Sequence, residues 1–132
     1  MPEDTAGRTV RLLRERGLTL ATAESLTGGL VGAAVTAVPG ASKVYRGGVI
    51  SYASDLKARL LGVPEDVLSR HGAVSRATAV AMAAGVRAAT GADWGIATTG
   101  VAGPDPQEGH PPGTVWLAVA GPPTAAARLC GF

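Results

Sequence analysis

The sequence predicts an α/β protein, a three-layer α/β/α sandwich around a mostly parallel sheet with mixed pairing at one end. Three observations carry this. Strand-like and helix-like runs alternate along the 132 residues, and strands separated by helices pair in parallel and are covered on both faces. The apolar content of 46% comes largely from alanine, valine and leucine, with only 4% aromatic, and the length suffices for one domain with a real core. Two strand-like runs near the end are separated only by Gly121-Pro122-Pro123, so they can pair directly.

The elements follow in order. Thr5–Arg16 carries Val10, Leu12 and Leu13 among arginines, an amphipathic helix that stops at Gly17. Leu18–Ala23 is a short apolar strand and Thr27–Val38 an alanine-rich helix broken by Pro39-Gly40. Gly47–Ala53 is a strand through Val49, Ile50 and Tyr52. Ser54–Leu61 is a short helix opened by a Ser/Asp cap, and Pro64–Arg70 another with proline at its first position. Ser75–Thr90 is a long alanine-rich helix capped by Ser75. Asp93–Thr99 is a strand, Gly100–Gly113 a loop dense in glycine and proline, and Thr114–Ala120 and Ala125–Phe132 the closing strands.

Composition excludes several classes. No run approaches the roughly 20 apolar residues of a membrane span. The start, MPEDTAGR, is polar and acidic before it turns basic and does not read as a secretory signal. One cysteine, Cys130, rules out an internal disulfide and a Cys-rich zinc site. A net charge of +2 is too small to argue for nucleic acid or an anionic membrane. A cytoplasmic protein fits. No His, Asp and Glu cluster has metal-ligand spacing. No Gly-Lys-Ser/Thr completes a P-loop, and no G-x-G-x-x-G opens the helix after the first strand.

The stretch Thr22–Gly29, TAESLTGG, places Ser25 where a strand ends and a helix begins. A hydroxyl there stands beside backbone N–H groups that lack intrahelical partners and can hold an anion or an oxyanion. The competing reading makes Ser25 or Thr27 a helix N-cap, the commoner role for such residues. In open α/β sheets sites form at the carboxyl ends of the strands. Those ends carry Glu24-Ser25 with Thr27, Gly28 and Gly29, then Tyr52 with Lys57 one turn on, then Thr98-Thr99-Gly100. Of twelve basic residues only Lys43 and Lys57 are lysine. Unlike guanidinium, a buried amine can lose its proton and serve as a base. A serine needs a base to become a nucleophile. His71 reads as a helix C-terminal residue and His110 as a solvated loop residue, so a Ser–Lys arrangement is the better fit. Tyr52 could relay the proton or orient the amine, or be an ordinary rim aromatic. Gly100 could equally serve only its turn.

The segments TAESLTGG, VPGASKVYRGGVISYASDLK, LLGVPEDVLSRHGAVS, TTGVAGP and PPGTVWLAVA resemble, in order and spacing, the C-terminal domain of the CinA (competence/damage-inducible) family. The resemblance runs from about Leu18 to Ala120. Stand-alone members of that family are nicotinamide-nucleotide amidases, which convert nicotinamide mononucleotide to nicotinate mononucleotide and ammonia without metal or cofactor. The resemblance implies Ser25 as nucleophile, Lys57 as base and Tyr52 as an assisting residue. It places Thr27, Gly28, Gly29, Thr99 and Gly100 around the ligand. In the mechanism this suggests, amides near Thr27–Gly29 or Thr99–Gly100 take the oxyanion, and backbone amides hold the ribose phosphate with Arg46 as a candidate beside them. The family commonly has Cys at the place of Leu26 and Ser-Asn at the place of Ala53-Ser54. It also continues past the last strand into a further helix; a chain ending at Phe132 is expected to leave one sheet face exposed and to favour a homo-oligomer, a dimer. Two rivals stand beside the amidase: a non-catalytic regulatory protein linked to competence and recombination, and an amidohydrolase for a different amide.

Overall fold

The computed structural model describes residues 3–122 and 124–132; Met1, Pro2 and the Pro123 of the expected turn lie outside them. Five strands, β1 (Leu20–Glu24), β2 (Tyr45–Ile50), β3 (Trp94–Gly100), β4 (Thr114–Gly121) and β5 (Thr124–Gly131), form one sheet in the order β2-β1-β3-β4-β5. Pairing is parallel across β2, β1 and β3 and antiparallel across β3, β4 and β5, so the sheet is mixed. The helices are α1 (Thr5–Arg16), α2 (Leu30–Thr36), α3 (Ser54–Leu61), α4 (Glu65–His71) and α5 (Arg76–Thr90).

β1 is the keel. All five of its residues are buried, as expected of a parallel strand covered on both faces. Its residues alternate between two cores. Ala21 and Ala23 join Ala79, Met82, Ala83 and Val86 of α5, together with Leu61 of α3. Leu20 joins Val10 of α1, Val35 of α2 and Val44. Small side chains on the α5 face let that helix lie close to the sheet. At Gly95 a Cβ would collide with the Ala83 carbonyl.

Helix ends account for most differences from the sequence expectation. Gly17 takes φ 67° and donates back to Arg14, while Leu18 donates to the Leu13 carbonyl at 2.9 Å. That double bond spends Leu18 on the end of α1, so β1 starts at Leu20. α2 begins at Leu30, because Gly28 and Gly29 have φ 59° and 109° and form a turn instead of helix. The expected Ser/Asp cap of α3 is absent: Ala53 holds the cap position and contributes no side-chain bond. Pro64, expected at the first position of α4, stands instead at its cap, one place before the first helical residue, Glu65. Ser75 caps α5 as expected, accepting from the Thr78 amide at 3.1 Å. β2 starts at Tyr45, where it pairs with Leu20, and Tyr45 Oη meets Thr22 Oγ1 at 2.6 Å across Gly32 and Gly48.

One face of the sheet carries α5 with α3 and α4 against it. The other carries α2 and α1 near β1 and β2. Over β4 and β5 that second face opens into an apolar trough lined by Val31, Ile96, Leu117, Val119 and Ala126.

The seat of α3 matters for function, because α3 carries Lys57. A Cβ at Gly85 of α5 would collide with the backbone of Leu61, the last residue of α3. Gly85→Ala therefore forces the helices apart. We expect it to destabilise the protein by about 1–3 kcal/mol, the range for overpacking, read as a fall in the denaturant midpoint. An unchanged midpoint would show that the helices do not depend on this contact.

Candidate active site

Glu24 shapes the turn that presents Ser25. The last residue of β1 is 2% exposed. Its Oε1 accepts from the Gly29 and Val31 amides at 3.1 and 3.0 Å, and its Oε2 from the Gly32 amide at 2.9 Å. The carboxylate fills the start of α2. This overturns the N-cap reading of Ser25 and Thr27: Glu24 satisfies the helix, and α2 has no side-chain cap at Gly29. Burial on its own raises the Glu24 pKa, but the Thr27 hydroxyl and the three amides hold it below its ordinary value. Glu24→Gln replaces one acceptor oxygen with a donor facing an amide. It should cost about 1–3 kcal/mol near neutral pH. Because the folded pKa is depressed, that difference is present above the ordinary value of 4.5 and is lost as pH falls through the folded pKa. Denaturant titrations of both proteins across the acid range check this.

With the helix capped elsewhere, Ser25 is free to meet Lys57. The Lys57 Nζ lies 3.0 Å from Ser25 Oγ and donates to the Ser51 carbonyl at 2.7 Å. Lys57 is 1% exposed. Ser51 is itself fixed, since its amide donates to the Glu24 carbonyl at 2.7 Å, which joins the carboxyl ends of β1 and β2. Burial lowers the Lys57 pKa, and the more distant Glu108 charge opposes this. A neutral amine that gives one N–H to Ser51 keeps its lone pair for the serine proton.

The pair sits at the bottom of an open cleft of about 300 Å³. Leu26, Tyr52, Ser54, Ala73 and Val74 line one part of it, and the loop from Gly100 to Gln107 the other. Thr99 also lines the cleft, yet its hydroxyl is committed to the Ala73 carbonyl at 2.7 Å. Thr27 binds Thr98 hydroxyl to hydroxyl at 2.8 Å. Gly28 donates to the Ser25 carbonyl and Gly29 to Glu24, so Thr27, Gly28 and Gly29 build the turn and do not face the cleft. Tyr52 is on the rim, 68% exposed. Among the described residues it makes no hydrogen bond to Ser25 or Lys57; the amine is oriented by the Ser51 carbonyl, where Tyr52 had been expected. Arg46 lies near the start of β2, away from the strand ends that form the cleft, and its Nε donates to the Thr90 carbonyl of α5 at 2.6 Å.

Candidate donors for an oxyanion are backbone amides of the two strand ends. Among the described residues the Leu26 and Thr27 amides have no acceptor. Directly after β3, the Val101 amide donates to the carbonyl of Thr114, the first residue of β4. Amides alternate sides along a strand, so the Gly100 amide faces the side on which β1 lies. Glu24, Ser51 and Glu108 had no role assigned from the sequence. The glutamate directly before Ser25, followed by Gly28-Gly29, is the signal that could have revealed the first. Among the described residues no group of three or more His, Cys, Asp or Glu could hold a metal ion, and no helix is long and apolar enough to cross a membrane.

A model of the family described as the CinA C-terminal domain matches residues 2–132. Similar proteins include a CinA-like protein of Frankia casuarinae, 55% identical over 128 residues, which cover 95% of this chain and 30% of that protein. A putative competence-damage inducible protein of Geobacillus kaustophilus is 54% identical over 113 residues, 86% of this chain and 27% of that one. The chain thus spans under a third of the length of these curated relatives. Among solved structures, the competence/damage inducible protein CihA of Agrobacterium tumefaciens superposes with a TM-score of 0.91 at 36% identity, covering 96% of this chain and 78% of that one. The competence damage-inducible protein A (ComA) of Klebsiella pneumoniae gives 0.92 at 38% identity, covering 96% and 80%.

Proposed function

The chain belongs to the CinA C-terminal domain family, and we propose that within it this chain is an amidohydrolase that releases ammonia from nicotinamide mononucleotide. The observation that carries the reading is a 1% exposed lysine whose amine lies 3.0 Å from a serine hydroxyl at the base of an open cleft. A surface-binding role gives no reason to bury an amine beside a hydroxyl.

In this reading Lys57, neutral in the resting site, takes the Ser25 proton as Oγ attacks the carboxamide carbon. The carbonyl electron pair moves onto oxygen, which takes hydrogen bonds from the amides of Leu26 and Gly100, two of the residues lining the cleft. On collapse, the C–N bond breaks, the Lys57 ammonium returns its proton to the leaving nitrogen and ammonia departs. Water then attacks the acyl-Ser25 ester, giving its proton to Lys57, and nicotinate mononucleotide is released with Ser25 restored.

Among the described residues lining the cleft Lys57, the base, is the one lysine or arginine, and Asp105 stands on its loop. A substrate phosphate is therefore met by backbone amides and hydroxyls such as Ser54, and Arg46 takes no part. The test is ammonia release from nicotinamide mononucleotide, nicotinamide riboside and free nicotinamide. A preference lost on removing the phosphate supports the nucleotide. Equal rates with all three point to a different amide. No release from any of them overturns the amidase and leaves the regulatory reading suggested by the relatives' competence-damage names.

A further inference from the structure

The loop that forms one wall of the cleft is tied down by a single side chain. Gln107 and His110 exchange two backbone hydrogen bonds, 3.0 and 2.8 Å, leaving Glu108-Gly109 as a two-residue turn. Both central residues have positive φ, 53° and 78°. That pattern favours Asn, Asp or Gly at its first position, and a glutamate there runs against local preference.

What the glutamate does in exchange is visible in its hydrogen bonds. Its two carboxylate oxygens accept the Ala73 and Val74 amides, each at 2.9 Å. Both residues line the cleft, as the loop does. The segment it grips is held on its other sides as well: Thr99 donates to the Ala73 carbonyl, and Thr78 and Ser75 donate to the Gly72 carbonyl at 2.6 and 3.0 Å. Gly72 leaves the space the carboxylate uses, since a Cβ there would sit 2.5 Å from Glu108 Oε1. Among the described residues no other side-chain hydrogen bond or ion pair joins the Gly103–Gly109 stretch to this segment.

We propose that Glu108 is a positioning residue that clasps the Val101–Gln107 loop to Ala73-Val74 and so fixes the width of the substrate cleft above Ser25 and Lys57. It touches neither reacting atom. Its link to substrate rests on the amidase reading, but the clasp itself does not. The charge-assisted pair of bonds offsets an unfavourable backbone, which is the mark of a residue kept for placement.

The experiment uses the full chain with Glu108→Gly, which suits the positive φ and deletes the carboxylate, and Glu108→Gln, which keeps its length and one acceptor oxygen. Amide exchange is read at Ala73 and Val74 and, as a control, in β1 and α5. The expected result is about tenfold faster exchange at Ala73 and Val74 in the glycine variant, with β1 and α5 unchanged and a smaller effect for glutamine. With nicotinamide mononucleotide as probe, KM should rise about tenfold while kcat moves less. Unchanged exchange at the two amides, or loss of protection throughout the protein, overturns the clasp. Faster local exchange in a parent-inactive protein leaves the clasp standing and removes the amidase. A fall in kcat with KM unchanged overturns the positioning role.

Discussion

Ser25→Ala should reduce ammonia release from nicotinamide mononucleotide by about 10⁴-fold or more, the scale seen when a serine nucleophile is removed from a site that acts as a unit. The fold should survive. Ser25 contributes one contact, to Lys57, and the turn is held without it by Glu24 and by the Gly28 amide on the Ser25 carbonyl. Lys57 keeps its bond to the Ser51 carbonyl. The stability change should therefore stay within about 1 kcal/mol, which separates chemical loss from unfolding. Steady-state assay and chemical denaturation of the same preparation check both halves. A variant that keeps a tenth of the parent rate would show that Oγ is not the nucleophile, whatever the activity proves to be.

The elements that position this serine were legible because each depends on local chemistry. The alternation of apolar runs gave the strands and helices to within a few residues, and the scarcity of lysine pointed at Lys57. The site's supporting residues were not legible, because their partners are distant along the chain or fixed only by the turn. Glu24 reads in the sequence as one more polar residue after a strand. Only the positive φ of Gly28 and Gly29 swings the amides of Gly29, Val31 and Gly32 onto its carboxylate. Ser51 acts through its carbonyl, which no side-chain pattern can show. Glu108 lies 35 residues from Ala73 along the chain. Arg46 failed for the opposite reason: the sequence offers a cation, but the register of β2 with β1 puts it near Leu20 at the far end of the sheet from the cleft.

Lys57→Met should abolish turnover and make the protein more stable. Methionine matches the unbranched stem of lysine and fills the same space, but it carries no amine to be desolvated. Loss of the base should lower kcat by about 10³-fold or more. The stability effect has a defined pH dependence. Burial holds the folded Lys57 pKa below its ordinary value of 10.5, so between the folded and unfolded pKa values the unfolded chain binds more protons than the folded one. Parent stability therefore rises with pH across that window. Below the folded pKa the full penalty of burying the ammonium, or of stripping its proton, weighs on the parent and is absent from the variant. The advantage of Lys57→Met is thus largest at the acid side and closes as pH approaches the unfolded value near 10.4. Over the same range the parent's kcat/KM should climb as the folded Lys57 loses its proton, because only the neutral amine can take the Ser25 proton. Denaturant titrations of both proteins from about pH 6 to about pH 10, with parent kinetics alongside, bring the two curves together. If the variant is the less stable protein at every pH, Lys57 is held as a cation by partners in the fold, and the general base must be sought elsewhere. A stability gap that closes while activity climbs assigns both to one proton on Nζ, and it identifies the destabilising feature of the core as the group that makes the serine reactive.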